Sequence, residues 1–206
     1  MTRIAVIDYG MGNLFSVKNA LEAVGATVFV AARGEELADA GAVVLPGVGA
    51  FGKGMEGLRE RGFVEALERE VREKKKPMLG ICLGLQLLAT RGTELGDHAG
   101  LGWIQGTVVR ITSAPNLRIP HVGWNDVRGK GALFAKVPPE ASYYFVHSFH
   151  LVPESRAVVS GTTDYGTELV AAVASDNVYA VQFHPEKSHK HGLELLRTFC
   201  AIAGGA

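Results

Sequence analysis

Arg3-Ile4-Ala5-Val6-Ile7-Asp8-Tyr9-Gly10-Met11-Gly12-Asn13-Leu14 is a compact apolar run that ends in a glycine-punctuated loop and gives way to a helical pattern. Leu14, Val17, Leu21 and Val24 recur at helical spacing, and Gly25 stops the helix. Residues 27–31 and 42–45 read as the next strands. Phe63, Val64, Leu67 and Val71 stripe a further helix that Pro77 terminates. Residues 78–81 read as a strand, followed by a short helix from Leu83 to about Ala89. Alternating strands and helices with continuously apolar strands predict a parallel sheet covered on both faces, and such sheets bind ligands at the carboxyl ends of their strands.

The second half is richer in strands. Residues 106–111, 142–146, 157–160, 169–174 and 179–183 are candidates, separated by Gly, Pro, Asn and Asp. A closing helix carries Leu193, Leu196 and Cys200 in a stripe, with Leu195, Phe199 and Ile202 alongside. No repeat or linker divides the chain, so residues 1–206 read as one domain.

Composition narrows the function. The 206 residues carry 21 basic and 21 acidic side chains, with 47% hydrophobic and 20% charged residues. That is a soluble globular balance that argues against disorder and against nucleic acid as the main partner. The run 68–76 reads as a solvated helix end whose lysines complement the dipole. Two cysteines, Cys82 and Cys200, are too few for a disulfide framework. The apolar stretch at the start is too short for a signal-peptide core, and none approaches a membrane span. The expected setting is cytoplasmic, away from membranes and with reduced thiols. Glycine is in excess at 26 residues, nearly twice the usual share of about 7%, which suggests turns and binding loops.

Gly80-Ile81-Cys82-Leu83-Gly84 has the spacing of a nucleophile elbow with Cys in place of Ser. Flanking glycines suit a turn with no room for Cβ atoms. The turn would lift the sulfur to a helix N-terminus, where the dipole favours thiolate, with the Leu83 N–H as an oxyanion donor. The competing reading is a buried structural cysteine. Cys200, on the stripe of the last helix, reads as core.

A cysteine nucleophile needs a base held by a third group. Of seven histidines, only His184 follows an apolar strand end with a carboxylate two residues on, in Phe183-His184-Pro185-Glu186. Pro185 favours an extended His184, so Glu186 faces the same side and can hold one imidazole nitrogen. A metal site of His184, Glu186, His189 and His191 is the alternative, and a merely packed histidine is another. Pro46-Gly47-Val48-Gly49 also follows an apolar strand. It lacks the Lys-Ser/Thr of a phosphate loop and reads either as a plain turn or as the partner in an oxyanion hole.

These pieces, in this order, resemble the class I (triad) glutamine amidotransferases almost end to end. The likeness runs through residues 8–14, 46–51, 80–86, 120–125, 144–148 and 182–188. It implies a flavodoxin-like three-layer α/β fold, with a largely parallel central sheet and additional antiparallel strands in the second half. It implies hydrolysis of L-glutamine by Cys82, His184 and Glu186, with no metal or cofactor. Val48 and Leu83 would supply the oxyanion amides, and Gly47, Gly49, Gln86, Glu94 and Ser148 would surround the substrate. The loop 47–49 would need a peptide rotation to present its amide, which its glycines permit.

The resemblance also implies a partner, a (β/α)8-barrel cyclase subunit of histidine biosynthesis that receives the ammonia, with Asn13, Trp124 and Lys187 in motifs that would lie at or near that interface. A helix cap, a core tryptophan and a solvated lysine are the plainer readings of these three. Other amidotransferase subunits, a non-catalytic module that kept the fold and a cysteine peptidase are the competing functions.

Overall fold

A computed structural model describes residues 2–112 and 117–205. In chain order the strands and helices are β1 Arg3–Ile7, α1 Leu14–Ala23, β2 Thr27–Ala31, β3 Ala42–Leu45, α2 Phe51–Glu60, α3 Phe63–Leu67, β4 Met78–Ile81, α4 Leu83–Gln86, β5 Ala89–Gly92, β6 His98–Ala99, β7 Ile104–Arg110, β8 His121–Gly129, β9 Ala141–His147, β10 Phe149–Pro153, β11 Val159–Asp164, β12 Glu168–Ser175, β13 Val178–Val181 and α5 His189–Ala203. The main sheet has nine strands in the order β2-β1-β3-β4-β13-β12-β11-β8-β9, and β10-β7-β5-β6 form a second sheet.

From β2 to β13 the main sheet is parallel, and from β13 onward its neighbours are antiparallel. The order β2-β1-β3-β4 reverses direction at β1, as in doubly wound folds. Along β1, Ile4 and Val6 pack with α1 and α5 through Val17, Leu21, Leu195 and Phe199. Ala5 and Ile7 face the opposite layer, with Phe51, Met55, Leu58 and Phe63 of α2 and α3. This two-sided burial is why the central strands β3 and β4 are buried along their whole length. It gives the three-layer α/β class that the sequence predicts.

Several elements depart from the sequence reading. The helix after Cys82 is a single turn, because the Leu87, Leu88 and Ala89 carbonyls accept from Leu101, Trp103 and Gly102 N–H groups instead of continuing a helical ladder. Residues 89–92 consequently enter β5, beside β7. The expected strand 157–160 begins later, at Val159, after a 3₁₀ turn at Arg156–Val158. Helix α2 is unheralded because it holds Gly52, Gly54 and Gly57; a Cβ on Gly57 would lie 2.3 Å from the Tyr9 carbonyl oxygen. Part of the glycine excess therefore seats a helix and does not line loops. On α5 the fully buried side chains are Leu195, Leu196 and Phe199, while Cys200 is half-buried at the edge of the stripe. Among the described residues no helix is long and apolar enough to cross a membrane.

The segment leading into β4 is tied down by Glu70, whose side chain is fully buried. It meets Lys76 at 2.7 Å, Lys74 at 2.9 Å and Arg69 at 3.0 Å. Lys76 also donates to the Leu37 and Ala38 carbonyls. The run 68–76 is thus partly an anchor and not merely a solvated helix end. Burial favours a neutral Glu70, but the three cations outweigh it and lower its pKa to about 2. Its stabilising effect is therefore complete above pH 4.5 and is lost as the pH falls toward 2. Glu70→Gln is expected to lower the neutral-pH melting temperature, with the gap to the parent closing between pH 4.5 and pH 2 in thermal melts.

Candidate active site

Strand β4 pairs in parallel with β13, Ile81 opposite Val181, so the residues leaving the two strands emerge side by side. Cys82 leaves β4 with φ +55° and ψ −105°, a region that costs a non-glycine residue energy and persists where the surroundings enforce it. The surroundings are tight. A Cβ at Gly84 would lie 1.9 Å from the Leu45 carbonyl oxygen, and one at Gly80 would lie 2.9 Å from the Gly84 carbonyl oxygen. The Cys82 N–H donates to Val181 O at 2.8 Å, which holds the strained residue to β13.

The base candidate is fixed from β9. The His184 N–H donates to Tyr144 O at 2.9 Å, while Ser188 Oγ accepts from the Tyr144 N–H and donates to His184 O. His184 is extended, at φ −103° and ψ 93°, but Pro185–Lys187 form a 3₁₀ turn. The turn, and not an extended chain, brings Glu186 Oε1 to 2.7 Å from His184 Nδ1. Both side chains are 2% exposed. Nε2 is buried with no hydrogen-bond partner among the described residues. Burial opposes charge on the ring, yet Cys82 and Glu186 together push its pKa up to about 9.

Residues 189 and 191 do not join a metal cluster. The His189 ring stacks on Trp124 at 5.1 Å, and His191 lies near Tyr143. Among the described residues no group of three or more His, Cys, Asp or Glu is placed to hold a metal.

A cavity of about 530 Å³ opens over the sulfur, lined by Val48, Gly49, Cys82, Leu83, Gln86, Glu94, Ser148 and Lys187 among others. Glu94 reaches it from the second sheet, its Oε2 accepting from the Phe51 N–H at 2.9 Å at the start of α2. Gly47 lies behind the lining, where a Cβ would fall 2.0 Å from Tyr9 Oη. Gly49 has φ +111°, with Met11 closing in behind it. In this state the Leu83 N–H donates to Gly47 O at 3.3 Å, so the loop occupies one of its own candidate oxyanion donors.

Asn13 caps α1, its side chain accepting from the Ser16 N–H at 3.3 Å. Trp124 is no core residue: it is 49% exposed, and Val122 (54%) in the same motif and Phe15 (74%) just after the motif 8–14 are exposed as well.

Two groups of polar residues went unread in the sequence. Gln182, fully buried, follows β13 as Cys82 follows β4, and its Nε2 lies 3.7 Å from Cys82 Sγ. His121 and His147 face each other across β8 and β9, His121 Nδ1 lying 3.0 Å from His147 Nε2. Burial lowers their pKa values to about 4 and about 3, so both are neutral at physiological pH. The only available signal was register: Ile81 opposite Val181 puts position 182 beside position 82.

The model of the class-I glutamine amidotransferase family matches residues 5–203. Across 97% of this chain and 94% of the relative, the sequence is 48% identical to the imidazole glycerol phosphate synthase subunit HisH of Moorella thermoacetica. It is also 48% identical to the HisH subunit of Aquifex aeolicus, over 96% of this chain and 95% of the relative. A solved glutamine amidotransferase from Thermotoga maritima superposes with a TM-score of 0.68 at 17% identity, covering 100% of this chain and 99% of that one.

Two outcomes follow from the geometry. Gly84→Ala is expected to cost about 3 kcal/mol of stability in denaturant unfolding, because the new methyl meets backbone and not a movable side chain. The His184 ring is expected to titrate near pH 9 by NMR. Cys82→Ala and Glu186→Gln should each move that midpoint down toward the ordinary 6.5.

Proposed function

The chain belongs to the class-I glutamine amidotransferase family, and from that premise we propose that it is the glutaminase subunit of an imidazole glycerol phosphate synthase. The whole chain, 1–206, is read as one amidotransferase domain. The reading rests above all on Cys82, strained at the end of β4 and lining a cavity, beside a histidine whose far nitrogen is held by a buried carboxylate.

In this reading Cys82 Sγ attacks the side-chain amide carbon of L-glutamine. His184, charged at neutral pH, already holds the thiol proton at Nε2 and gives it to the departing nitrogen, so that ammonia leaves and a glutamyl thioester remains. His184 then draws a proton from water, which attacks the thioester and releases glutamate and the thiol. Glu186 holds the Nδ1–H tautomer throughout. Val48 and Leu83 amides stabilise the tetrahedral oxyanion. Gly47, Gly49, Gln86, Glu94 and Ser148 position the substrate.

In the resting geometry Gly47 O takes the Leu83 N–H, so the loop must turn before that amide can serve. A rotation of the Gly47–Val48 peptide would free Leu83 and present Val48 at once. With glutamine and partner bound, a crystal structure should show the Gly47 carbonyl turned away from Leu83; the same hydrogen bond in the complex would defeat this account.

Ammonia is protonated in neutral water and loses its nucleophilicity, so it is best passed on through an interface. The assigned partner is a (β/α)8-barrel cyclase subunit that forms imidazole glycerol phosphate and aminoimidazole carboxamide ribonucleotide. Phe15, Val122 and Trp124 are exposed beside motifs that also hold Asn13 and Lys187, which supports docking there.

Glutamate release from glutamine is the direct test, measured with and without that subunit and its ribonucleotide ligand. Strong stimulation is expected, with Cys82→Ala lowering the rate at least about 10³-fold. Activity that ignores the cyclase would point to another synthase, and no activity under any condition would refute the glutaminase.

A further inference from the structure

The sulfur of Cys82 has a polar neighbour that the Cys82–His184–Glu186 triad does not use. Gln182 Nε2 lies 3.7 Å from Sγ, and Gln182 Oε1 accepts from Gln86 Nε2 at 3.1 Å. Gln86 Nε2 also donates to Phe149 O at 2.9 Å. A backbone carbonyl can only accept, so the Phe149 oxygen dictates that Gln86 turns its NH2 group inward. The second hydrogen of that group then dictates that Gln182 presents its oxygen to Gln86 and its nitrogen to the sulfur. Flipping either amide would set two donors or two acceptors against each other.

The same carbonyl is held from its other side. His147 Nδ1 lies 2.9 Å from Phe149 O and must donate, leaving Nε2 to accept from His121 Nδ1–H. His121 Nε2 in turn accepts from Asn125 Nδ2 at 3.4 Å. Every direction in this chain follows from one carbonyl that cannot donate.

We propose that Gln182 is a further catalytic residue, its side-chain N–H aimed at Cys82 Sγ by Gln86 to stabilise the thiolate and hold it in line for attack. The inference deepens the glutaminase reading and rests on Cys82 being its nucleophile. An N–H donor favours sulfur as an anion over sulfur as a thiol, because hydrogen bonds to charged acceptors are the stronger ones. The titratable groups bearing on Cys82 are His184, from the 3₁₀ turn after β13, and Tyr9, from the loop after β1, while Glu94, His147 and Lys187 line the cavity above it. Gln182 does not titrate, so its effect does not vanish when any of them does.

The test is the rate of Cys82 alkylation by iodoacetamide between pH 6 and pH 10, followed by peptide mass spectrometry on the full chain in a Cys200→Ala background. Gln182→Met keeps length and loses the donor. It is expected to react about tenfold more slowly at pH 7 and to converge on the parent at high pH, where the sulfur is ionised in both. Gln182→Glu keeps the shape and the acceptor toward Gln86 but turns an oxygen to the sulfur, and it should be slowed as well. It carries the test alone if the methionine variant does not unfold cooperatively. With the cyclase present, kcat should fall by a similar factor while KM stays within about twofold.

Superimposable pH profiles in folded variants would overturn the role of Gln182, since a glutamine that only fills space would leave them unmoved. Alkylation does not need glutamine. A parent without glutaminase activity would therefore refute the proposed function, while the profiles would still decide the role of Gln182.

Discussion

Four residues of parallel pairing between Met78–Ile81 and Val178–Val181 join segments that lie a hundred positions apart in the chain. Position 82 and position 182 leave the sheet together because Ile81 stands opposite Val181. One residue of slippage would reverse the face each side chain meets. The register is held by two-sided burial, with Leu79, Ile81 and Val181 packed toward α1 and α5. It is locked at its exit by the Cys82 N–H on Val181 O. Strain at Cys82, the close approach of Gly84 to Leu45, and the reach of His184 all presuppose that pairing.

Around the pairing, polar groups are settled by elimination. Buried amides and imidazoles have more than one way to point, and here a single acceptor, Phe149 O, removes the ambiguity for Gln86, Gln182, His147 and His121 in turn. The two histidines remain neutral because burial penalises their charged forms, and only neutral rings can both donate and accept. His184 is equally buried but answers to a different balance, since Cys82 and Glu186 favour its charged form.

Strands 42–45 and 78–81 were legible residue for residue because a strand buried on both faces is written as an unbroken apolar run, and the edge strand 27–31 was legible through its β-branched and aromatic residues. The elbow was legible for a related reason: Gly80 and Gly84 mark close backbone approaches that no other residue tolerates. Helix α2 was not, since the glycines that let it seat against Tyr9 erase its propensity. Strand β8 was not, since it turns only His121 and Val127 fully inward and so lacks an apolar alternation. Gln182 stood in the motif 182–188, but its role was not legible because it depends on a partner a hundred residues away. Glu186 was found through an extended-chain argument, although a 3₁₀ turn delivers it.

If the proposed loop rotation holds, the hydrogen bond from the Leu83 N–H to Gly47 O ties substrate affinity to partner affinity. The proposed rotation divides the protein into a resting population and an opened one. Any molecule that binds the opened form better shifts the ratio by its differential affinity and by no more. If the cyclase favours the opened loop, glutamine bound in the cavity must tighten the grip on the cyclase by the same factor. Hydrolysis without a recipient for the ammonia is then suppressed by an equilibrium constant, with no need for a separate gate.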